Sequence, residues 1–334
     1  MGQKYQRLQA WEREEISRGL GQGWSIRKIA QGLGRPASTV SREIRRGHGN
    51  RWVYRAIRGQ RRAERRAGTR RYGKTKLSQN PRLRDVVCAY LRLRWSPEQI
   101  AHRLRQAYPD DITMRISHEA IYTSLYILPK GTFRQEMLAC LRRGHRRRNR
   151  RHSFMEKPVK RLEDMVSIVD RPAEANDRKV VGHWEGDLMI GQNRQSALGT
   201  LVERTTRRLV LVRLKNKSAA EVCNAFGRTL KRIPRYARRT LTYDQGREMA
   251  DHKKLTSKTE VQVFFAHPAS PWERGTNEST NGLVRQFFPK GTNFNKLSTQ
   301  EVKRVEHLLN GRPRKVLQWK TPDEAWREAV ALDV

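Results

Sequence analysis

Cysteine is scarce in this chain, with three in 334 residues, and Cys88, Cys140 and Cys223 form no CxxC pair. Neither a disulfide framework nor a structural zinc site is indicated. Long apolar runs are missing too. Nothing approaches the ~20 apolar residues that a membrane helix needs, and the opening Met1-Gly2-Gln3-Lys4-Tyr5-Gln6 has no apolar signal region. No membrane role is expected, and a cytoplasmic, nucleoid-associated location is. No phosphate loop is expected, hence no nucleotide. Acidic residues are also few, with 33 Asp and Glu against 71 Lys and Arg and a formal charge of +38.

An excess of that size opposes compaction unless a polyanion neutralises it, and nucleic acid is the usual polyanion. Hydrophobic residues still make up 36% of the chain, enough for packed cores, and its length suggests two or three domains. The charge is uneven. Residues 1–150 carry 36 basic and 11 acidic side chains, and residues 151–334 carry 35 and 22. The first part therefore reads as the electrostatic grip, and the second has room for functional carboxylates. Two basic runs, 51–76 and 142–151, are either solvated linker or phosphate contacts, and Arg146, Arg147 and Arg148 are the candidates in the second.

Between Trp11 and Gly47, Ile16, Leu20, Ile26, Ile29, Ala30, Leu33, Val40 and Ile44 recur at helical spacing. Ser25 is placed to cap one helix, Gly34-Arg35-Pro36 breaks it, and Ser38 is expected to cap the next. Three short helices with a tight turn make a helix-turn-helix. In the last helix Ser38, Thr39, Ser41, Arg42, Arg45 and Arg46 point outward, which suits a recognition helix in the major groove of double-stranded DNA. Further on, Trp95-Ser96-Pro97-Glu98-Gln99-Ile100 opens a helix with a capping box, and another starts at Ser117. These form either a second helix-turn-helix or a structural helical module. The expected organisation is a helix-turn-helix domain at 1–50, a basic linker at 51–94, a second helical module at 95–141, an arginine-rich linker at 142–165 and a core at 166–334.

From Val166 the periodicity changes. Strands are expected around 180–190, 197–203, 208–214, 240–243 and 261–265, with helices at 218–230, 277–288 and 298–310, an α/β order with a mixed sheet. Asp187 lies inside the first strand, Asp244 ends the fourth, and Glu278 opens a helix. A carboxylate within an apolar strand is costly unless it is paired or metal-bound. Alone, either aspartate reads as structural. Together the three offer the oxygen donors that suit a hard divalent cation, Mg²⁺ above all.

The strings Gly182-His183-Trp184-Glu185-Gly186-Asp187 and Ser270-Pro271-Trp272-Glu273-Arg274-Gly275-Thr276-Asn277-Glu278-Ser279-Thr280-Asn281-Gly282-Leu283 resemble the signatures of bacterial transposases of the insertion-sequence-30 family. The likeness extends to the helix-turn-helix, the Trp95-Ser96-Pro97-Glu98-Gln99-Ile100 segment and Asn310-Gly311-Arg312-Pro313-Arg314-Lys315. Gln245 and Ser279 depart from the residues common there. The resemblance implies a ribonuclease-H-like, retroviral-integrase-like core. It also implies catalytic Asp187, Asp244 and Glu278 holding two Mg²⁺ ions (Mn²⁺ as a substitute) roughly 3.5–4 Å apart. The implied reaction is cleavage at the element's terminal inverted repeats and strand transfer into target DNA, by a homo-oligomer in the synaptic complex. Asn281 and Arg285 share a helix face at i+3 and i+7 from Glu278, where they orient DNA or a carboxylate, or in the case of Asn281 pack in the core. A repressor with a silent core, or a nuclease that cuts without joining, is the alternative. No role is evident for His183 or Trp184.

Overall fold

The computed structural model describes residues 7–46, 51–69, 75–128, 131–141, 164–268 and 270–332. The chain divides into two compact units. One comprises residues 1–86 with 119–136, and the other 87–118 with 137–334. Arg146, Arg147 and Arg148 and most of the expected arginine-rich linker lie outside the described residues.

The first unit is helical. Helices α1 (Ala10–Gly21), α2 (Ile26–Gly32) and α3 (Ala37–Arg46) bury Ile16, Leu20, Ile29, Ala30, Val40 and Ile44 in one cluster with Leu8 and Tyr54. Ser25 caps α2 as expected, accepting from the Lys28 amide at 3.2 Å. Gly34, at φ +61°, turns the chain in the left-handed region that glycine adopts without strain. Ser38 does not cap α3. Pro36 begins the turn, its carbonyl accepting from Thr39 N–H at 2.8 Å, so the helix starts one residue before Ser38. Two ion pairs fasten the three helices, Arg13–Glu43 at 2.8 Å and Arg35–Glu12 at 2.7 Å.

Residues 51–94 are not the linker expected. They form helices α4 (Ala56–Thr69), α5 (Lys76–Gln79) and α6 (Pro81–Arg92). Alanine, glutamine and arginine are all good helix formers, and one face of α4 packs on α1, with Gln60 accepting from Arg13 at 2.9 Å. Residues 68–75 also fit the GxxxxGKT pattern of a phosphate loop by residue type, against expectation. The element before them is helix α4, whereas that loop needs a preceding strand.

The second unit begins inside α6 and includes α7 (Pro97–Ala107), whereas α8 (His118–Ile127) and α9 (Thr132–Ala139) fall mostly in the first. The stretch 95–141 is therefore not one module. Helix α7 carries the expected capping box on Ser96 and Gln99, and the Gln99 side chain also donates to the Pro313 carbonyl. Arg103 pairs with Glu324 at 3.1 Å, and the His102 and Trp319 rings stack with centroids 3.8 Å apart. Its inner face is spent on the C-terminal segment.

After α10 (Glu174–Asp177) come β1 (His183–Ile190), β2 (Ala197–Glu203) and β3 (Leu209–Arg213), then α11 (Ala219–Lys231) and β4 (Thr240–Tyr243). The chain ends with α12 (His252–Thr259), β5 (Gln262–Phe265), α13 (Gly275–Val284), α14 (Thr299–Asn310) and α15 (Pro322–Leu332). The sheet order is β3-β2-β1-β4-β5, antiparallel across β3-β2-β1 and parallel across β1-β4-β5. Alternation along the strands separates two cores. Trp184, Leu188 and Leu201 join Phe226, Leu230 and Leu255 in one cluster, while Met189, Leu198 and Val202 join Val284, Phe288 and Leu309 in the other. The acids belong to the second face.

Candidate active site

Strands β1 and β4 pair in parallel with His183 opposite Thr240, Trp184 opposite Leu241 and Glu185 opposite Thr242. Carried two residues on, the same register sets Asp244 beside Asp187, on strands that lie about 4.8 Å apart. Two residues without an assigned role hold that register. His183 Nδ1 lies 2.9 Å from Thr240 Oγ1, and the buried Trp184 indole donates to the Ala237 carbonyl at 2.9 Å. Gly186 has a steric reason: a Cβ there would meet the buried Tyr243 ring of β4 at 2.7 Å.

Helix α13 approaches the same strand through a buried network. The Asn277 amide donates to Glu185 Oε2 at 2.8 Å, and its side chain donates to the Glu185 carbonyl at 2.9 Å. Glu185 is itself fully buried and pairs with Arg204 at 2.9 Å. One turn later Asn281 Nδ2 donates to Asp187 Oδ2 at 2.8 Å, so Asn281 orients a carboxylate.

One cation stands between the aspartates. Arg274 lies 3.2 Å from Asp244 Oδ2 and 3.6 Å from Asp187 Oδ1, and donates to the Gly186 carbonyl at 3.2 Å. Burial pushes the Asp187 carboxyl pKa up and the Asp244 charge adds to that, while Arg274 opposes it. Glu248 is also raised, by burial first and then by the charges of Asp244 and Asp187. Asp244 Oδ1 and Asn281 Oδ1 are buried without a hydrogen-bond partner, so oxygen donors are left over just past β4 and on the face of α13 that meets Asp187.

Glu278 is not gathered in. It is exposed on α13, and among the described residues no three acidic, histidine or cysteine side chains stand close enough to hold one ion. It does share a face of α13 with Asn281, three residues on, which reaches Asp187, as does Arg274 in the turn just before the helix. Arg285 donates to the Ile190 carbonyl at 3.0 Å and is drawn electrostatically to Asp187. In the first unit Ser38, Ser41, Arg42, Arg45 and Arg46 are exposed as expected, while Thr39 is half-buried. Arg42 donates to Ser38 Oγ at 3.1 Å, the two forming an i,i+4 pair on the outer face of α3.

Sequence reasoning missed the parts played by Arg274 and Glu248. Arg274 sits within the quoted string, yet nothing in a linear pattern says that its charge returns to two strands 30 and 87 positions upstream.

Comparison with known proteins places these features. Residues 4–47 match a family model described as a helix-turn-helix domain, and residues 177–271 one described as an integrase core domain. The chain is 42% identical to the transposase for insertion sequence element IS1086 of Cupriavidus metallidurans, over 98% of this chain and 96% of that one. It is also 42% identical to transposase InsI for insertion sequence element IS30A of Escherichia coli, over 96% and 83%. Among solved structures, the catalytic core domain of BIV integrase aligns over 45% of this chain and 97% of its own, with 16% identity and a TM-score of 0.35.

Proposed function

Because this chain belongs to the insertion-sequence-30 family of transposases, with a helix-turn-helix DNA-binding domain and an integrase core of the polynucleotidyl-transferase type, we propose that it cuts DNA at the element's terminal inverted repeats and joins the freed 3′ ends to target DNA. Asp187, Asp244 and Glu278 are its catalytic acids and its ligands for Mg²⁺. The observation that carries this reading is the parallel register that brings Asp187 and Asp244 together beside α13, with a buried Asp244 oxygen left unpartnered.

The integrase-core family depends on divalent metal, and the donor set here fits a hard cation: carboxylate oxygens, with an amide oxygen of Asn281 beside them. Two Mg²⁺ ions held by Asp187, Asp244 and Glu278 would supply Lewis-acid stabilisation for an in-line phosphoryl transfer, with Mn²⁺ as a substitute. The chain does the positioning. Asn281 holds the Asp187 carboxylate, and the Glu185–Asn277 network holds the helix that presents Glu278. Arg274 offers a cation next to the reacting phosphate, and Arg285 a second on the same helix face. The exposed face of α3 reads the inverted repeat in the major groove, and Arg146, Arg147 and Arg148 grip phosphate. Assembly as a homo-oligomer brings two element ends together.

The test is a labelled end fragment incubated with full-length protein and Mg²⁺. Nicking at the end, followed by joining of a pre-cut 3′-hydroxyl end to a second duplex, supports the reading. Specific binding without nicking would make the chain a repressor, and nicking without joining would make it a nuclease.

A further inference from the structure

The turn before α13 carries a feature that the metal site does not use. Residues Pro271–Arg274 form a short 3-10 turn, and within it Trp272 is 74% exposed, the highest exposure among the tryptophans of the described residues. Its ring has no stacking or cation–π partner among the described residues. A single exposed aromatic is ordinary on a protein surface. This one differs in its attachment. The next residue, Glu273, accepts from both the amide and Nδ1 of His267, each at 2.8 Å. The one after it, Arg274, is fastened to Asp244, Asp187 and the Gly186 carbonyl. A bare indole is thus held on a braced turn, two residues (about 7.6 Å of chain at most) from the cation that joins the two aspartates.

We propose that Trp272 is a base-stacking platform, and that its ligand is the nucleobase flanking the phosphate to be cut. The inference rests on the reading of the acid pair as the reacting centre. The chain's charge of +38 attracts DNA, and each nucleotide of a strand advances about 3.4 Å along the helix axis, so a base within a few nucleotides of the acids falls within reach of the indole. An indole face stacks on any base, without sequence preference, once that base leaves the duplex. The pairing of Arg274 with the aspartates and the exposure of Trp272 then act on one strand: the cation beside the phosphate, the ring beside the adjacent base.

The experiment uses full-length protein and two end fragments, one fully paired and one mismatched at the base pairs flanking the cut. Trp272→Ala should cut the paired end at least about tenfold more slowly than wild type, while Trp272→Phe stays within about threefold, since one base stack is lost in the first and kept in the second. The mismatched end should restore Trp272→Ala to within about threefold of wild type, because unpairing is then already done. With Ca²⁺ in place of Mg²⁺, 2-aminopurine at the flanking position of the mismatched end, where it is unstacked and bright, should be quenched by wild type and not by Trp272→Ala. Equal cutting of the paired end by Trp272→Ala and wild type overturns the inference. So does a loss that the mismatch does not rescue, or a change in solution mass that makes Trp272 a contact between copies. Asp244→Asn separates the two readings: it should quench 2-aminopurine without cutting, and if it cuts, the acid-pair reading fails while the quenching still reports on Trp272.

Discussion

In the helix-turn-helix unit Arg42, Arg45 and Arg46 face water, whereas in the core unit Arg171, Arg204 and Arg312 are buried. Each of the core arginines lies against a named acceptor. Arg171 donates to Thr242 Oγ1 at 2.9 Å, Arg204 pairs with Glu185, and Arg312 donates to Gln286 Oε1 at 3.1 Å and the Leu93 carbonyl at 3.3 Å. The same residue type does opposite work. Exposed guanidinium groups in water gain little from one another and remain available to phosphate. Buried ones must be satisfied where they stand, so they fix the segments that satisfy them. The first unit keeps most of its arginines at the surface and buries Arg13 against Glu43, whereas in the core unit Arg204, through Glu185, steadies the helix that carries Glu278.

The sharpest way to break this comparison is to remove the acids. Asp187→Asn, Asp244→Asn or Glu278→Gln should each lower nicking and joining by at least about a thousandfold, the scale of several kcal/mol of lost metal-ion stabilisation. Binding to the element end should stay near wild type, because α3 is untouched. Gel-shift and nicking assays on one end fragment report both, and substantial Mg²⁺-dependent cutting by any variant removes that residue from the site. Glu278 is the most informative of the three, since it is the one that the fold leaves exposed.

Next in size is the buried pair. Arg204→Ala leaves the Glu185 carboxylate buried without its cation, at a cost of about 3–5 kcal/mol. The urea midpoint should fall accordingly, and cutting should fall with it even at temperatures where the variant is folded, because Glu185 anchors the Asn277 amide of α13. An unchanged midpoint would mean that the pair contributes nothing to stability.

On the DNA-reading side, Arg42→Ala should weaken binding to the specific end by about 1–3 kcal/mol and narrow the gap to random DNA if it contacts a base edge. Equal losses on both DNAs would make it a phosphate contact. An alanine in place of any of Arg146, Arg147 or Arg148 should weaken both DNAs alike and flatten the salt dependence by about 0.9 per lost phosphate contact.

What could be read from the sequence divides along the same line. Local periodicity is enough for α2 and, to the residue, for β2 and β4, because capping and alternation are short-range signals. The helices within 51–94 were hidden because arginine-rich composition looks alike in a linker and on a helix that packs through a narrow alanine face. The docking of α7 was hidden for another reason. Gln99, His102 and Arg103 meet residues more than 200 positions away, and nothing in a capping box names a distant partner. The sequence fits Asn281 either orienting a carboxylate or packing in the core, and its 2.8 Å bond to Asp187 decides. Arg312 looks like one more basic surface residue in sequence, yet it is fully buried.

The smallest expected effect concerns the strand pairing that sets the acids side by side. His183 is buried against Thr240, and burial lowers its pKa to about 4, with the charges of Arg239, Arg204 and Arg171 adding and Glu174 opposing. A free histidine titrates near 6.5. As pH falls through that value the unfolded chain takes up a proton that the folded chain refuses, so this residue's contribution favours unfolding increasingly from about pH 6.5 down to about pH 4. Between pH 7 and pH 5.5 the loss should be about 1 kcal/mol. Other groups titrate in the same range, so the informative quantity is a difference. The Tm of wild type minus that of His183→Asn should shrink as the pH is lowered from 7 to 5.5, and a constant or growing difference would mean that His183 is protonated in the fold. Cutting measured across the same range and below the Tm should not follow this change, because His183 acts on the β1–β4 register and lies four residues from Asp187.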